Sequence, residues 1–331
     1  MTHAPTANDG KPKTGSVESV LASLADKKIF FDPLHGNNGD ELIVMGSLEA
    51  IHRHQLQRVD DASAADVIIV PGGAGLSSVW GGAIEEVLRY CDGTLGQKTL
   101  VILPSTMSFD NDRFRNGLAT RLGSTYLFAR ERKTLDRIKA ANLPDSTHVA
   151  LDHDMAFQLR DSIWLKQLRS KSKSKHVLVV ERRDAETLAA SRDGAVPVPS
   201  FTKKWVPQAI KRLVKRQLHE KHRRSSPFAD WAKQISIKEF PHAEKSNFQF
   251  LDVSLTGIFS FESFCKSIVE AEAVISTRLH VAILSALLDK PTVIVPGSKK
   301  FGKIQGIYDY SMSDMKHVTM VENPFDESGS L

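Results

Sequence analysis

Cysteine is almost absent from this chain: Cys91 and Cys265 are the only two among 331 residues. They form no metal-ligand spacing and no disulfide framework, which argues against a stapled extracellular scaffold and for a reducing cytoplasm. Long apolar runs are missing as well. No stretch approaches the roughly 20 residues of a membrane-spanning helix. The opening MTHAPTANDGKPKTGSVESV has no apolar core of signal-peptide type. No Ser-His-Asp order argues for a hydrolase triad, and no self-similarity of solenoid length is present. A soluble cytoplasmic protein is the expectation.

What is present suits a globular enzyme. The chain is 41% hydrophobic and 25% charged, enough to bury a sizeable core, and its length favours two domains. The net charge of +5 suits anionic substrates, anionic lipid or nucleic acid without choosing among them. Residues 1 to about 24 are polar and rich in small side chains, which predicts a disordered tail. Beyond it KIFFDPL, DVIIV, TLVILP, STYLFAR and HVALDHD read as buried strands, with ELIVMGSLEAIHRH and AIEEVLRY among the helices between them. The Lys/Ser-rich DSIWLKQLRSKSKSK reads as a linker, after which HVLVV, AVIS and TVIVPG restart the series. Short Val/Ile/Leu runs alternating with helices predict an α/β protein with parallel sheets covered on both faces. The simplest arrangement is two Rossmann-like domains, 25–165 and 166–331, with a cleft between them.

The segment from Lys203 to Arg224 carries nine Lys/Arg against one Glu, Glu220. Val206, Ile210, Leu213 and Val214 fall on one helical stripe, with Pro207 suited to the first turn. A solvated surface helix accounts for this pattern, and so does a basic amphipathic face that docks peripherally on anionic membrane. Aromatic side chains are nearly absent from it, which disfavours nucleic acid.

Four loops offer chemistry. HGNNGDE, His35 to Glu41, follows a strand and opens a helix, where open α/β sheets bind ligands and free N–H groups favour anions or hydroxyls. Asn37, Asn38 and Asp40 are turn and cap residues, and a plain strand-to-helix turn explains them equally well. The loop matches neither GxGxxG nor GxxxxGK[ST]. PGGAGLSS, with Gly73 at its centre, places backbone close to a ligand or to another loop. In STRLH, Arg278 and His280 flank Leu279 at the start of an apolar helical stripe formed by Leu279, Ala282, Ile283, Ala286 and Leu287. Arg binds carboxylate or phosphate at two points, and His moves a proton near neutral pH. PGSKKFGKIQGIYDY brings Lys299, Lys300 and Lys303 onto a glycine-containing loop suited to phosphate, or to ordinary solvent. Arg130 and Arg132 end one strand, and Arg182, Arg183 and Asp184 end another. Asp152, His153 and Asp154 are adjacent, which suits structural or substrate roles better than one metal ion.

Taken in order, GNNGDEL, PGGAG, FARERK, the D-x-x-F of DHDMAF, VVERRDAE, STRLHVAILSALLDKP and GSKKFGKIQGIYDY resemble the polysaccharide pyruvyltransferase family from about Lys28 to Tyr310. The stretch from Ser191 to Phe261 shows little similarity. RRDAE and K-x-x-x-x-YD look closest to exopolysaccharide members. The resemblance implies a GT-B-like fold with the acceptor on the N-terminal side and phosphoenolpyruvate on the C-terminal side. It implies a sugar diol as acceptor, free or lipid-linked, a cyclic pyruvate ketal as product, and no metal or organic cofactor. By match to the family's motifs, Arg278 is the donor-site arginine, His280 the catalytic histidine and Glu41 an acid near the acceptor. Lys303, Arg182, Arg183 and one of Arg130 and Arg132 would contact the donor, with Asn37, Asn38, Asp40 and Gly73 lining the substrates. Two alternatives stay open: a nucleotide-sugar glycosyltransferase on the same fold, and a non-catalytic member that binds glycan or membrane.

Overall fold

The computed structural model describes residues 15–34, 36–77, 82–110, 112–173, 175–183, 208–240, 247–297 and 302–325, with side chains from Lys211 onward in the 208–240 segment. The chain forms two compact units: Met1–Pro33 with Ser47–Asp152, and Leu34–Gly46 with His153–Leu331.

In the first unit, helix α1 (Val17–Ala22) is capped by Ser16, whose Oγ accepts the Ser19 N–H at 3.1 Å. It buries Val17, Val20 and Leu21, so the expected disordered tail is corrected here: its last part is packed helix. Strand β1 (Lys28–Phe31) leads to α2 (Asn38–Arg53) and then β2 (Gln57–Arg58). There follow β3 (Val67–Val70), α3 (Gly82–Leu88), β4 (Thr99–Ser105), α4 (Asp112–Ala119), β5 (Thr125–Ala129), α5 (Arg132–Ala140) and β6 (Thr147–Leu151). The strands are all parallel, in the order β2-β1-β3-β4-β5-β6, with Ile68 opposite Leu100 and Leu127 opposite Val149. Val67 to Val70 are all buried, as a central strand covered on both faces requires.

The second unit takes the first half of α2, to Gly46, and continues with α6 (Ile163–Ser170), β7 (His176–Val180), α7 (Gln208–Arg224), α8 (Pro227–Glu239) and β8 (Phe248–Phe250). It closes with α9 (Phe261–Val269), β9 (Ala271–Ser276), α10 (Leu279–Leu287), β10 (Thr292–Ile294), α11 (Lys303–Ser311) and β11 (Val318–Met320). Its parallel sheet runs β8-β7-β9-β10-β11. Alternate residues of β7 serve opposite cores. Val177 and Val179 pack with Phe228, Ala229 and Ala232 of α8, while Leu178 and Val180 pack with residues of α9 and α10. The stretch read as a linker is helix α6, capped by Ser162 and anchored by buried Leu165.

Both sheets are wound alike. The chain starts at an inner strand, adds one neighbour on one side, then builds outward on the other. The turning points lie between β1 and β3 and between β7 and β9, and the carboxyl ends of such strand pairs are where open α/β sheets take ligands. The α/β class with parallel sheets is what the alternation of short apolar runs predicted. No described helix is long and apolar enough to cross a membrane.

Candidate functional site

In the second unit the start of α2 carries most of the first loop. The Asn37 Oδ1 accepts the Gly39 N–H at 2.7 Å, and the Asp40 Oδ2 accepts the Asn37 N–H at 2.8 Å, a reciprocal cap of the helix. Asn38 is buried. Its Nδ2 donates to the carbonyls of Val253 at 2.9 Å and Phe259 at 3.1 Å, and its N–H donates to Ser254 O at 3.1 Å. Of these three residues, all expected at a substrate, Asn37 and Asp40 cap the helix and Asn38 ties its start to the segment after β8. Glu41 follows in the same first turn, half-buried, its N–H donating to Asn37 O at 3.2 Å. His35 lies outside the described residues.

Gly39 packs against His280. A Cβ at position 39 would lie 2.6 Å from the imidazole Nδ1 and 2.9 Å from the His280 Cβ, so no larger residue fits without moving the ring. The other ring nitrogen, Nε2, lies 3.4 Å from Asp154 Oδ2, within ion-pair range. Asp154 is fully buried, and its Oδ1 accepts the Ala156 N–H at 2.9 Å at the head of a short 3-10 turn, Met155–Leu159. His280 sits in the first turn of α10, at the positive end of the helix dipole. A carboxylate on one ring nitrogen fixes the orientation of the ring. All five residues of the expected apolar stripe of α10 are buried, and Val281, Leu284 and Ser285 are buried as well.

Arg278 caps α10 through backbone geometry. Its N–H donates to Ser276 Oγ at 2.9 Å, and its side chain, 7% exposed, turns to Asp252. Nε lies 3.1 and 3.2 Å from the two Asp252 oxygens, and Nη2 donates to Oδ2 at 2.6 Å. Burial alone would raise the Asp252 carboxyl, but the Arg278 and Arg223 guanidiniums outweigh it and hold the group below its usual range. Asp252 follows β8, Glu181 to Arg183 follow β7, and Thr277 and Arg278 follow β9, so three adjacent strand ends deliver this cluster. Arg183 donates to Glu181 Oε2 at 2.8 and 3.0 Å, and the Arg182 N–H donates to Thr277 Oγ1 at 2.7 Å. Lys303, the first residue of α11 after Gly302 at φ +56°, is buried in the same unit. Asp184, Lys299 and Lys300 lie outside the described residues.

Helix α7 departs from its expected pattern. Leu213 and Leu218 are exposed, while His219 and Arg223, four residues apart, turn inward. The His219 Nε2 accepts the Asp252 N–H at 3.0 Å, which requires that nitrogen to be unprotonated. Burial, then the neighbouring Arg223, pushes the His219 imidazole down to about 4. Val206 and Pro207 lie outside the described residues, as does the side chain of Ile210.

The first unit engages its own candidates. Arg130 is fully buried, its Nε donating to Thr106 Oγ1 at 3.0 Å, and Thr106 in turn donates to Glu131. Arg132 is exposed at the head of α5. Gly73 has φ +133°, and its backbone pairs with residues 104–106, so that loop packs on other backbone. Asp152, His153 and Asp154 diverge: Asp152 accepts the Val17 N–H, His153 meets Ser311 and stacks on Tyr310, and Asp154 faces His280. Among the described residues no group of three or more His, Cys, Asp or Glu is placed to hold a metal ion.

Sequence reasoning missed Asp154 as partner of His280, and it missed Asp252, His219 and Arg223. Asp154 stood inside a recognised motif, but its partner is 126 residues away. The i, i+4 spacing of His219 and Arg223 was the only local signal for an inward polar face.

A sequence model of polysaccharide pyruvyl transferases matches residues 17–298. The chain belongs to the polysaccharide pyruvyl transferase family. Family membership makes it a transferase with a pyruvyl-transfer role and a polysaccharide acceptor in general terms. No functionally curated protein matches it. Among solved structures, a functionally uncharacterised protein from Klebsiella pneumoniae has a TM-score of 0.59 at 20% identity, over 92% of this chain and 96% of the other. That likeness shows a shared fold. The UDP-GlcNAc 2-epimerase of Methanocaldococcus jannaschii is more distant, with a TM-score of 0.32 and 10% identity over 86% of this chain and 70% of the other.

Two outcomes follow from this geometry. Gly39→Ala drives a methyl group against the His280 ring and should lower stability by about 1–3 kcal/mol, as overpacking of a filled site does, measured by urea unfolding. The second outcome concerns acid. Below its unfolded value of 6.5, His219 takes a proton in the unfolded chain but not in the folded one. Stability therefore falls as pH drops from 6.5 to about 4, by about 3 kcal/mol over the whole window. Buried His176, also held down, adds to this slope, whereas Asp252 acts only below the ordinary carboxylate value of 3.8. His219→Gln, which keeps an acceptor for the Asp252 N–H, should flatten the slope by about one proton in urea titrations across this range.

Proposed function

We propose that the protein transfers the pyruvyl group of phosphoenolpyruvate to a sugar diol of an exopolysaccharide repeat unit, forming a cyclic ketal and releasing phosphate. The observation that carries this is the imidazole of His280, set between the side-chain-free face of Gly39 and the buried carboxylate of Asp154, beside a cluster of arginines at the strand ends. The donor carries a carboxylate and a phosphate, and fixed cations in a water-poor site suit both. Arg278, Arg182, Arg183 and Lys303 are the candidates in this unit.

The chemistry needs one acid and one base. His280, oriented by Asp154, gives its proton to the methylene carbon, which becomes the methyl group. The first sugar hydroxyl bonds to the central carbon and loses its proton to Glu41. The carbon–oxygen bond to phosphate then breaks, and the second hydroxyl takes its place. One hydroxyl proton replaces the one His280 gave, and the other leaves with phosphate. Peripheral docking on an anionic membrane is part of the same proposal, because Leu213 and Leu218 stand exposed on a helix rich in Lys and Arg.

Phosphate release from phosphoenolpyruvate with candidate lipid-linked sugars tests the chemistry. His280→Ala should lower the rate at least about 100-fold, as loss of a general acid does. Glu41→Gln should slow transfer while leaving donor binding intact. Stabilisation by nucleotide sugars, with none by phosphoenolpyruvate, would overturn the proposal in favour of a glycosyltransferase. For the membrane, flotation at low salt should carry the protein with anionic vesicles and not with neutral ones. Leu213→Glu combined with Leu218→Glu should abolish it, and no association of the unaltered protein would remove that part.

A further inference from the structure

Arg223 stands in the last turn of α7, within the stretch that shows least similarity to the family. Its side chain is only 4% exposed. Nη1 donates to the Glu181 carbonyl and lies 3.7 Å from Glu181 Oε2. Nη2 lies 3.7 Å from Asp252 Oδ2, the same oxygen that receives Arg278 Nη2 at 2.6 Å. A further donor, the Nε–H, is buried and has no hydrogen-bond partner among the described residues.

A buried N–H on a charged group without an acceptor is costly, and native structures keep few of them. Here it lies on a guanidinium held between two carboxylates at the carboxyl ends of β7 and β8, beside the turning point of the sheet. Arg278 is tied to the same carboxylate oxygen from the end of β9. Arg278 grips this carboxylate with Nε and Nη2, and Arg223 sets a second guanidinium 3.7 Å from the same oxygen, so the strand ends carry a cationic corner with one N–H still to be matched by an acceptor.

We propose that Arg223 is an anion-binding residue for the donor, holding one of its anionic oxygens next to Arg278, and that Asp252 is the positioning residue that registers both arginines. This rests on the phosphoenolpyruvate assignment above. It adds a binding residue from a helix whose sequence reads as solvated surface. The ligand class is a small phosphorylated carboxylate.

Binding to the full-length protein by calorimetry, with phosphoenolpyruvate, inorganic phosphate and pyruvate as separate probes, tests it. Arg223→Lys keeps the charge and removes the Nε–H fork. It should weaken phosphoenolpyruvate at least about 10-fold, and it should weaken phosphate or pyruvate in parallel, whichever mimics the end that Arg223 grips. Arg224→Lys, on the exposed side of the same helix, should bind as the unaltered protein does. A merely structural Arg223 would lower the melting temperature while leaving affinity well below it, and the donor-induced rise in melting temperature, unchanged; that result overturns the inference. Should Arg223→Lys not fold, Asp252→Asn is measured instead, with the same loss expected and unchanged affinity again overturning it. If the unaltered protein binds neither phosphoenolpyruvate nor phosphate, the donor assignment itself falls and takes this inference with it. If it binds them and the variants match it, only the role of Arg223 falls.

Discussion

A carboxylate without access to water organises the edge of the second sheet. Asp252 would be strongly destabilised on its own, since removing a charge from water costs several kcal/mol even after relaxation. It persists because Arg278 covers both oxygens, Arg223 approaches one of them, and its own N–H is accepted by a neutral histidine. Deleting any one partner strands the others, so the arrangement is rigid for electrostatic reasons rather than for packing alone. Rigidity of that kind is what a binding site for a small charged ligand needs, because a pre-oriented guanidinium loses little freedom when it binds.

The histidine beside it is held by a different kind of force. Gly39 gives room by lacking a side chain, Asn38 ties the helix start to the carbonyls after β8, and Asp154 supplies the charge opposite Nε2. Asn38 and Gly39 are neighbours at the start of α2, whereas Asp154 comes from more than a hundred residues further along the chain. The loop after β1 thus does structural work: Asn37 and Asp40 cap the helix, Asn38 anchors it, and Gly39 is a contact surface for a side chain 241 residues further on.

The strands most readily read from the sequence were the buried central ones, because four or more consecutive Val, Ile or Leu residues signal a covered parallel sheet directly. The strands that escaped notice, β2, β8 and β11, are two- or three-residue edge segments with one neighbour each, too short for any period to show. His280 and Arg278 were legible because their motif is local. Asp154 and Asp252 were not, because their significance comes from partners far along the chain. Helix α7 misled for a physical reason: periodicity assigns the inward face to apolar residues, yet here a neutral histidine and a paired arginine take it, leaving two leucines outside. The polar opening was likewise read as a tail, although Ser16 caps a short helix that buries Val17, Val20 and Leu21.

The two sheets share one winding order, yet their turning points are furnished differently. In the first, Asp32 follows β1 and its carboxylate accepts from Arg89 Nη2 at 2.5 Å and from the Tyr90 hydroxyl at 2.8 Å, while burial and that contact raise the Tyr90 phenol. The glycine loop after β3 lies flush on backbone, where a Cβ on Gly72 would meet the Pro104 carbonyl at 2.0 Å. That corner carries its own donors for Asp32. In the second, a buried arginine keeps an N–H that no atom of the described residues accepts. Winding alone gives both corners equal claim to a ligand. The difference lies in hydrogen-bond satisfaction, a property of side chains delivered from α7 and β8, and it directs the search for the anionic donor to the second sheet.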